Sequence, residues 1–226
     1  MAPLLEIKNL KKSYPPQRTI FEKLFFSVEA GELAIVCGPS GAGKTTLLNL
    51  LYLAERPEGG EISLDGQPAP WLKPKQYSAW RQKIGYIFQD QKLFVDRTVF
   101  ENVALPFYFG NTQPINLREE VERGLSEVGL FGQKDKYPRE LSLGEKTLVN
   151  LCRALVTAPH LIIADDPLSN LDPVRADLAL KLLEKEASSG RAVVLTATAG
   201  NVNSGAAKVY FIDRGTLVPD TGRPAG

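Results

Sequence analysis

A glycine-rich turn between an apolar run and an apolar helix is the feature that most constrains this chain. Residues 38–46 read GPSGAGKTT and satisfy the pattern G-x-x-x-x-G-K-[ST]; the run 33–37 precedes them, and a helix is predicted over 43–53. Glycines let successive backbone N–H groups turn toward one anion, and the start of a helix adds partial positive charge. The loop therefore predicts a phosphate site, made by Gly38, Pro39, Ser40, Gly41, Ala42, Gly43, Lys44, Thr45 and Thr46.

Two side chains of this loop carry its chemistry. In this pattern the lysine, Lys44, reaches the outer phosphates of a nucleotide, and the hydroxyl of Thr45 becomes a ligand of Mg²⁺. A glycine-rich turn with a solvated lysine is the structural alternative, and the flanking strand and helix argue against it. The loop alone does not separate kinases, GTPases and transport ATPases.

Charge and cysteine usage limit the possible partners. The 27 basic and 26 acidic residues give a formal net charge of +1, so no bulk field attracts a nucleic acid or an anionic bilayer. Cys37 and Cys152 lie far apart in apolar segments, which fits a reducing, cytoplasmic setting. Residues 1–6 lack a signal-peptide pattern, and no run of about 18 uncharged apolar residues occurs. We expect any membrane association to come through another protein.

Strand-like and helix-like segments alternate along the chain. Strands are predicted at 4–8, 33–37, 84–88, 161–165, 192–197 and 209–213. Several are continuous apolar runs, as in strands covered on both faces in a parallel sheet. Helices are predicted after Ser142, which has capping-box spacing to Glu145, and from Pro173, capped by Asp172, to a stop at Gly190. The alternation breaks between about 90 and 137, which predicts a helical lobe inserted into the sheet core.

An apolar strand that ends in two carboxylates is the second chemical motif. Residues 161–167 read LIIADDP, and Asp165 stands where the magnesium-holding aspartate of a phosphate-loop enzyme belongs. Acidic residues that only cap the next helix are the alternative. The lysine motif upstream, at a suitable separation, favours the metal site.

Residues 141–145 supply the third motif. They read LSLGE and precede a helix with apolar residues at Leu148, Leu151, Cys152 and Leu155, which alone describes an ordinary capped amphipathic helix. Beside the other two motifs, the segment resembles the signature of the ABC ATPase family, usually written LSGGQ. The resemblance spans about 4–214. It implies an α/β fold: a P-loop NTPase (RecA-like) core with a mainly parallel sheet, an N-terminal antiparallel β portion and an inserted helical subdomain.

The resemblance also implies an organisation and residue roles. It implies one ABC ATPase domain over 1–226, with a core lobe at about 1–89 and 159–218 and a helical lobe at about 90–158. ATP and Mg²⁺ are the implied cofactors. Gln89 matches the family's Q-loop glutamine, which contacts the metal and the attacking water, and Tyr14 matches the aromatic residue that stacks on adenine. The implied catalytic residues are Asp166 and Gln89, the metal ligands are Thr45, Gln89 and Asp165, and the D-loop is Ser169, Asn170, Leu171 and Asp172.

Family members close over nucleotide as dimers, which implies a shared site. ATP on the Lys44 loop of one copy touches the other copy's signature, here Ser142, Leu143, Gly144 and Glu145. The implied partners are a second ATPase domain, in a homodimer or pseudo-symmetric dimer, and a permease-like integral membrane subunit at the inner face of the cell membrane. Residues 81–106 most resemble the cell-division branch of the family, FtsE, whose partner is FtsX. Lipoprotein-releasing and antibiotic-exporting branches share much of this stretch.

Three departures from the family pattern bear on hydrolysis. Asp166 replaces the usual glutamate general base and is one methylene shorter. Ala199 stands where the family has its switch histidine, and the single histidine, His160, lies at the other end of the carboxylate strand. Leu143 and Glu145 replace glycine and glutamine in the signature, and the leucine is expected to hinder closure.

Two function classes therefore stay open. The chain is either a slow ATPase that drives a membrane partner, or a nucleotide-gated binding module that closes with ATP and rarely hydrolyses it. An ABC protein that acts on ribosomes or DNA is disfavoured by the single phosphate loop and the neutral charge. Pairing with an intact second ATPase, with this chain as the degenerate half, is a further alternative.

Overall fold

The computed structural model describes residues 3–16, 18–71, 73–110, 114–198 and 205–220. The strands are β1 (Leu5–Tyr14), β2 (Arg18–Val28), β3 (Leu33–Cys37), β4 (Gly59–Leu64), β5 (Gln67–Pro68), β6 (Ile84–Ile87), β7 (Leu161–Asp165), β8 (Ala192–Ala197), β9 (Lys208–Asp213) and β10 (Thr216–Pro219). The helices are α1 (Lys44–Leu51), α2 (Tyr77–Gln82), α3 (Val99–Phe109), α4 (Leu117–Glu127), α5 (Leu143–Leu155) and α6 (Pro173–Ser188). Within those residue ranges, no helix combines the length and apolar character needed to cross a bilayer.

The central sheet has six strands in the order β10-β9-β3-β8-β7-β6. Five of them pair in parallel, and β10 runs antiparallel to β9 at one edge. The mainly parallel sheet expected from the continuous apolar runs is confirmed. Every residue of β3, β7 and β8 is buried, because helices or a second sheet cover both faces.

Alternating side chains of the central sheet enter two separate hydrophobic cores. In β3, Leu33, Ile35 and Cys37 join a core with side chains from α3, α4, α5 and α6. Ala34 and Val36 point to the other face and join a core with α1 and the N-terminal strands. The period of two along each strand therefore feeds both cores, which explains why these strands contain no polar alternation.

The N-terminal strands form a second, antiparallel sheet in the order β2-β1-β4-β5. The antiparallel portion implied by the family resemblance is confirmed. The strand predicted at 4–8 is longer, since β1 continues to Tyr14. The sequence analysis did not predict strands β2, β4, β5 and β10. In β2 the buried and exposed residues do not alternate cleanly, so period-two reasoning finds no clear signal there.

Several predicted boundaries shift by one or two residues. Helix α1 begins at Lys44 and ends at Leu51 instead of spanning 43–53, because Gly43 has left-handed φ and acts as the cap. Strand β6 ends at Ile87 instead of 88, and β9 begins at 208 instead of 209. Helix α6 ends at Ser188, shortly before Gly190 at φ 93°. Hydrogen bonding at element ends decides such positions, and sequence patterns do not resolve them.

Helices α3, α4 and α5 occupy the segment for which a helical lobe was predicted. The described residues between 90 and 158 contain no strand. Thr98 caps α3 and Ser142 caps α5, each in a complete capping box with Glu101 and Glu145 respectively. The capping box predicted at Ser142 is therefore present. The three helices share a core with the central sheet, so the division into lobes at 90 and 158 stays a prediction.

Candidate functional site

The carboxyl ends of four parallel strands meet at one edge of the central sheet. The glycine-rich loop follows β3, Gln89 follows β6, Asp165 ends β7 and Thr198 follows β8. Loops at this edge of an open parallel sheet commonly form the ligand site of such folds. The sequence motifs therefore converge because of strand order, although they are far apart along the chain.

The glycine-rich loop has a conformation that depends on its glycines. Gly41 has φ 78° and Gly43 has φ 106°, in the left-handed region that favours glycine. A Cβ atom on Gly43 would lie 2.5 Å from Cγ2 of Ile20 and 3.1 Å from the ring of Phe21. The loop therefore packs against β2, and α1 begins at the next residue. Backbone N–H groups at a helix start favour an anion.

Lys44 closes the loop on itself in this structure. Its Nζ donates to the carbonyl oxygen of Gly38 at 2.6 Å and to that of Pro39 at 3.1 Å. The side chain is only half-buried, so the ammonium group can exchange these carbonyls for phosphate oxygens. A positive charge is already held at the position where the loop and the helix start would receive a phosphate.

Thr45 and Asp165 are 120 positions apart in sequence and in direct contact in the fold. The hydroxyl of Thr45 donates to Oδ2 of Asp165 at 2.7 Å, and Asp165 is buried. These hard oxygens suit Mg²⁺, which is commonly bound by one or two protein groups together with nucleotide phosphates. Among the residues that the structure describes, no group of three His, Cys, Asp or Glu side chains could hold a metal ion by itself. The donor set fits Mg²⁺ carried in with a nucleotide.

Asp166 follows in a tight turn at the end of β7. Its φ is 47°, a left-handed value that Asp adopts more readily than most residues, and its N–H donates to Oγ1 of Thr196 at 3.0 Å. Burial raises the pKa of the Asp166 carboxyl, and the charge of Asp165 adds to this; a hydrogen bond from Ser169 and the charge of Lys44 act in the opposite direction.

Tyr14 lies at the other side of the same cleft. Its hydroxyl donates to the carboxylate of Glu55 and lies 3.3 Å from Oγ1 of Thr46, so the end of the ring is fixed. The Nζ of Lys12 stands 4.7 Å from the ring centroid. Burial, followed by the hydrogen bond to Glu55, raises the pKa of the Tyr14 hydroxyl, which keeps it neutral.

One cleft of about 270 Å³ joins most of the predicted site. Its lining residues are Tyr14, Arg18, Ile20, Ser40, Gly41, Gly43, Lys44, Thr45, Thr46, Gln89, Asp165, Asp166 and Thr198. Sequence reasoning missed Arg18, whose Nη2 donates to the carbonyl of Gly41 at 2.7 Å, and Thr198. Thr196 and Thr198 interrupt an apolar strand end, a signal that was available; Arg18 has no signal, because only the folding of β2 brings it to the loop.

The residues predicted to form the signature and the D-loop do not line this cleft, but they lie against each other. A Cβ atom on Gly144 would stand 3.4 Å from the carbonyl oxygen of Asn170 and 3.7 Å from Cδ2 of Leu171. The hydroxyl of Ser142 is engaged with the Glu145 carboxylate at 2.8 Å, and Asp172 caps α6. Leu143 is 52% exposed, which leaves an apolar side chain at the start of α5.

Helix α5 also holds the segment around Gln89. Asn150 donates to the carbonyl of Phe88 at 2.8 Å, and Arg153 donates to the carbonyls of Gln91 and Lys92 at 2.7 and 2.8 Å. Gln91 and Lys92 both have positive φ, so this turn is held in a conformation that free chains rarely adopt. The helix that begins at the signature therefore fixes the segment that enters the cleft.

A larger groove of about 890 Å³ lies on the other side of that segment. Its aromatic lining residues are Tyr52, Tyr77, Tyr86, Phe88, Phe94, Phe107 and Phe109, and its charged ones are Arg81, Lys92, Glu120, Arg123 and Arg153. Phe94 and Phe109 are 57% and 72% exposed. Exposed aromatic side chains grouped at one place are typical of an interaction surface.

A family model described as "ABC transporter" matches residues 21–169. This chain belongs to the ABC transporter family. Relatives include the cell division ATP-binding protein FtsE of Escherichia coli strain K12, 36% identical over 80% of this chain and 82% of that protein, and FtsE of Bacillus subtilis strain 168, 35% identical over 97% of both chains. The methionine import ATP-binding protein MetN of Bordetella avium is 39% identical over 80% of this chain and 51% of that protein.

The solved structures agree with this ABC transporter assignment. A dimeric ATP-binding cassette in a post-hydrolysis state, bound to ADP and phosphate, has a TM-score of 0.85 and 26% identity, covering 94% of this chain and 96% of that chain. The P-loop NTPase fold and the likeness to FtsE that the motifs indicated are both confirmed.

The structure describes some of the residues that depart from the ABC transporter pattern. Asp166 and Leu143 are described, whereas Ala199 lies outside the described residues. His160 is exposed before β7, and its Nδ1 lies 2.7 Å from a carboxylate oxygen of Asp65. It is therefore bonded at the end of β7 opposite to Asp165, as the sequence indicated.

Proposed function

We propose that this chain is the ATP-binding and ATP-hydrolysing subunit of a membrane complex, in which nucleotide closes two ATPase domains and moves a membrane partner. One observation carries the proposal. A single cleft joins the loop lysine, the hydroxyl of Thr45 and the carboxylates of Asp165 and Asp166. Oγ1 of Thr45 lies 2.7 Å from Oδ2 of Asp165. Family membership supports ATP as the nucleotide.

Each group in the cleft has a distinct task in this proposal. The loop N–H groups and Lys44 bind the β- and γ-phosphates, and Thr45, Asp165 and Gln89 hold Mg²⁺, which when bound neutralises charge that develops on the phosphates. Asp166 accepts a proton from the attacking water, and Tyr14 stacks on the adenine. The short carboxylate of Asp166 places the base farther from the water than glutamate would, so turnover is slow.

The second half of each site comes from another ATPase domain. Ser142 and Gly144 lie outside the cleft of their own chain and beside Asn170, at the start of α5. The N-terminus of α5 would then face the γ-phosphate held by the other copy. The dimeric form of the solved cassette supports this arrangement. A homodimer or a pairing with a different ATPase domain would both complete the site.

The likeness to FtsE favours a role in cell division or cell-wall remodelling with an FtsX-like membrane protein. The chain would then lie in the cytoplasm, at the inner face of the membrane, and nucleic acid would not be among its partners. The similarity to MetN keeps a transporter role as a second candidate, as do the lipoprotein-release and export branches. In each case the ATPase acts through a membrane subunit.

The groove beside Phe88 is the surface that fits such a partner. Its floor is aromatic, and it has four basic side chains against one acidic one. It therefore suits an amphipathic cytoplasmic segment of the membrane subunit, with apolar side chains and an acidic flank. Arg153 and Asn150 bind the segment between groove and cleft, so a movement at Gln89 would reach the partner.

Phe109→Glu should lower co-purification with the proposed membrane subunit by about tenfold, because a carboxylate would enter an apolar contact. Co-expression followed by affinity purification from detergent measures the yield. Phe131→Glu is the matched control, since Phe131 is 46% exposed and does not line the groove. Equal yields for both variants, with MgATP binding intact, would count against this docking surface.

Leu143→Gly should strengthen ATP-dependent dimerisation by about tenfold, since an exposed leucine no longer separates the two copies at the signature. Sedimentation with saturating MgATP, in an Asp166→Asn background that keeps nucleotide uncleaved, measures the dissociation constant. Leu117→Gly, at the start of α4, controls for the cost of glycine in a first helical turn. An unchanged or weaker dimer for Leu143→Gly would contradict the expected hindrance.

A nucleotide-gated module without hydrolysis is the second candidate for the enzymatic part. Asp166 in place of glutamate favours it. ATP binding and dimer closure are common to both candidates, so only turnover separates them. If the protein hydrolyses ATP in a single-turnover assay no faster than buffer alone, the result would support the nucleotide-gated module.

A further inference from the structure

Thr196 is the only polar side chain in the buried strand β8. The strand reads AVVLTA, all six residues are buried, and Thr196 has no exposed surface. A hydroxyl in such a place costs free energy unless it is hydrogen-bonded. Its partners therefore indicate what the residue contributes.

The two closest hydrogen-bond partners of Thr196 belong to Asp165 and Asp166, and a third, the carbonyl oxygen of Ala164, lies 3.4 Å from its Oγ1. Its Oγ1 donates to Oδ1 of Asp165 at 2.8 Å and accepts the N–H of Asp166 at 3.0 Å. The parallel register places Thr196 directly opposite Asp165. One hydroxyl supplies one donor and two acceptor sites, so these two bonds are compatible with each other.

The two bonds orient different parts of the site. Asp165 is bound from both sides, by Thr45 at Oδ2 and by Thr196 at Oδ1, so its carboxylate cannot rotate freely. The bond to the Asp166 N–H pins a turn whose φ is 47°. Thr196 itself does not line the cleft, and so it acts on the site only through the two aspartates.

We propose that Thr196 is a positioning residue for the proposed ATP site: it aims the Asp165 carboxylate at the nucleotide-bound magnesium and fixes the backbone from which Asp166 acts. The inference rests on the proposed function. Partners that orient a metal ligand typically change metal affinity or activity by about 10–100-fold when they are removed.

The test uses Thr196→Val, which keeps the shape and removes the hydroxyl, and Thr196→Ser, which keeps the hydroxyl. The magnesium concentration for half-maximal binding of a fluorescent ATP analogue should rise about tenfold in Thr196→Val and stay near the parent value in Thr196→Ser. Binding of the analogue in EDTA should stay within about twofold in both variants, because Lys44 and the loop are untouched. The control is Thr216→Val in β10. It removes a hydroxyl that donates to the backbone carbonyl of Asp213, outside the site, and the variant should behave as the parent.

The possible results separate this inference from the function beneath it. A parent protein that binds no ATP analogue overturns both. A parent with normal binding and a Thr196→Val variant with an unchanged magnesium requirement overturns the positioning role alone. Equal impairment of the serine and valine variants, or equal loss in EDTA, also overturns it, because packing would then be the cause. If Thr196→Val does not fold, Thr196→Ala takes its place with the same expectations.

Discussion

Lys44→Ala lowers the affinity for MgATP by about tenfold to a hundredfold, the largest binding effect that we expect from a single side chain. The ammonium group is held by the carbonyls of Gly38 and Pro39, beside the proposed phosphate position. Hydrogen bonds to charged groups contribute about 1.5–3 kcal/mol, and each 1.4 kcal/mol corresponds to a factor of ten. Titration calorimetry at saturating magnesium measures the dissociation constant.

Lys181→Ala is the matched control, since Lys181 is an exposed lysine paired with Asp177 on α6. Its affinity for MgATP should equal that of the parent. Unchanged affinity in Lys44→Ala would refute the phosphate role of the loop, and with it the proposed function. Absence of both binding heat and subunit association in the parent protein would do the same.

Asp166→Glu combined with Ala199→His raises single-turnover hydrolysis by about a hundredfold, within the range of about 10²–10⁴ for general acid–base catalysis. The glutamate extends the base by one methylene toward the water, and the histidine restores the family's switch residue. Rapid mixing with labelled ATP and quenching measures the rate.

Asp166→Asn provides the lower reference for this measurement, because an amide cannot accept the proton. The parent should lie between Asp166→Asn and the double variant. A double variant no faster than the parent would contradict the explanation of slow turnover by these two residues. Unchanged MgATP affinity in all three proteins would locate the difference in the chemical step.

Much of the site was readable from local patterns. The loop of residues 38–46 and the end of β7 are contiguous motifs, and the chemistry of each depends on neighbours within a few residues. The capping box at Ser142 and the Asp172 cap were predictable for the same reason, since both depend on hydrogen bonds within one helical turn. Their roles in catalysis and closure remain predictions.

Other contacts of the site could not be predicted from local patterns. Arg18 reaches the loop only because β2 packs beside it, and Thr196 meets the aspartates only because β8 pairs with β7 in one register. The strands β2 and β4 were missed because their pairing partners, not their own periodicity, define them.

The sequence by itself determined the phosphate loop, the carboxylate pair, the continuous apolar strands and hence an α/β protein of the ABC transporter family. Tertiary structure alone decided that Thr45 contacts Asp165 and that Thr196 is hydrogen-bonded to both aspartates. It also decided that α5 is hydrogen-bonded to the segment between cleft and groove. The physical reason is the separation along the chain of the residues that interact. Backbone conformation, capping and strand burial follow from nearby residues, whereas contacts across 30 to 120 positions depend on strand order and register.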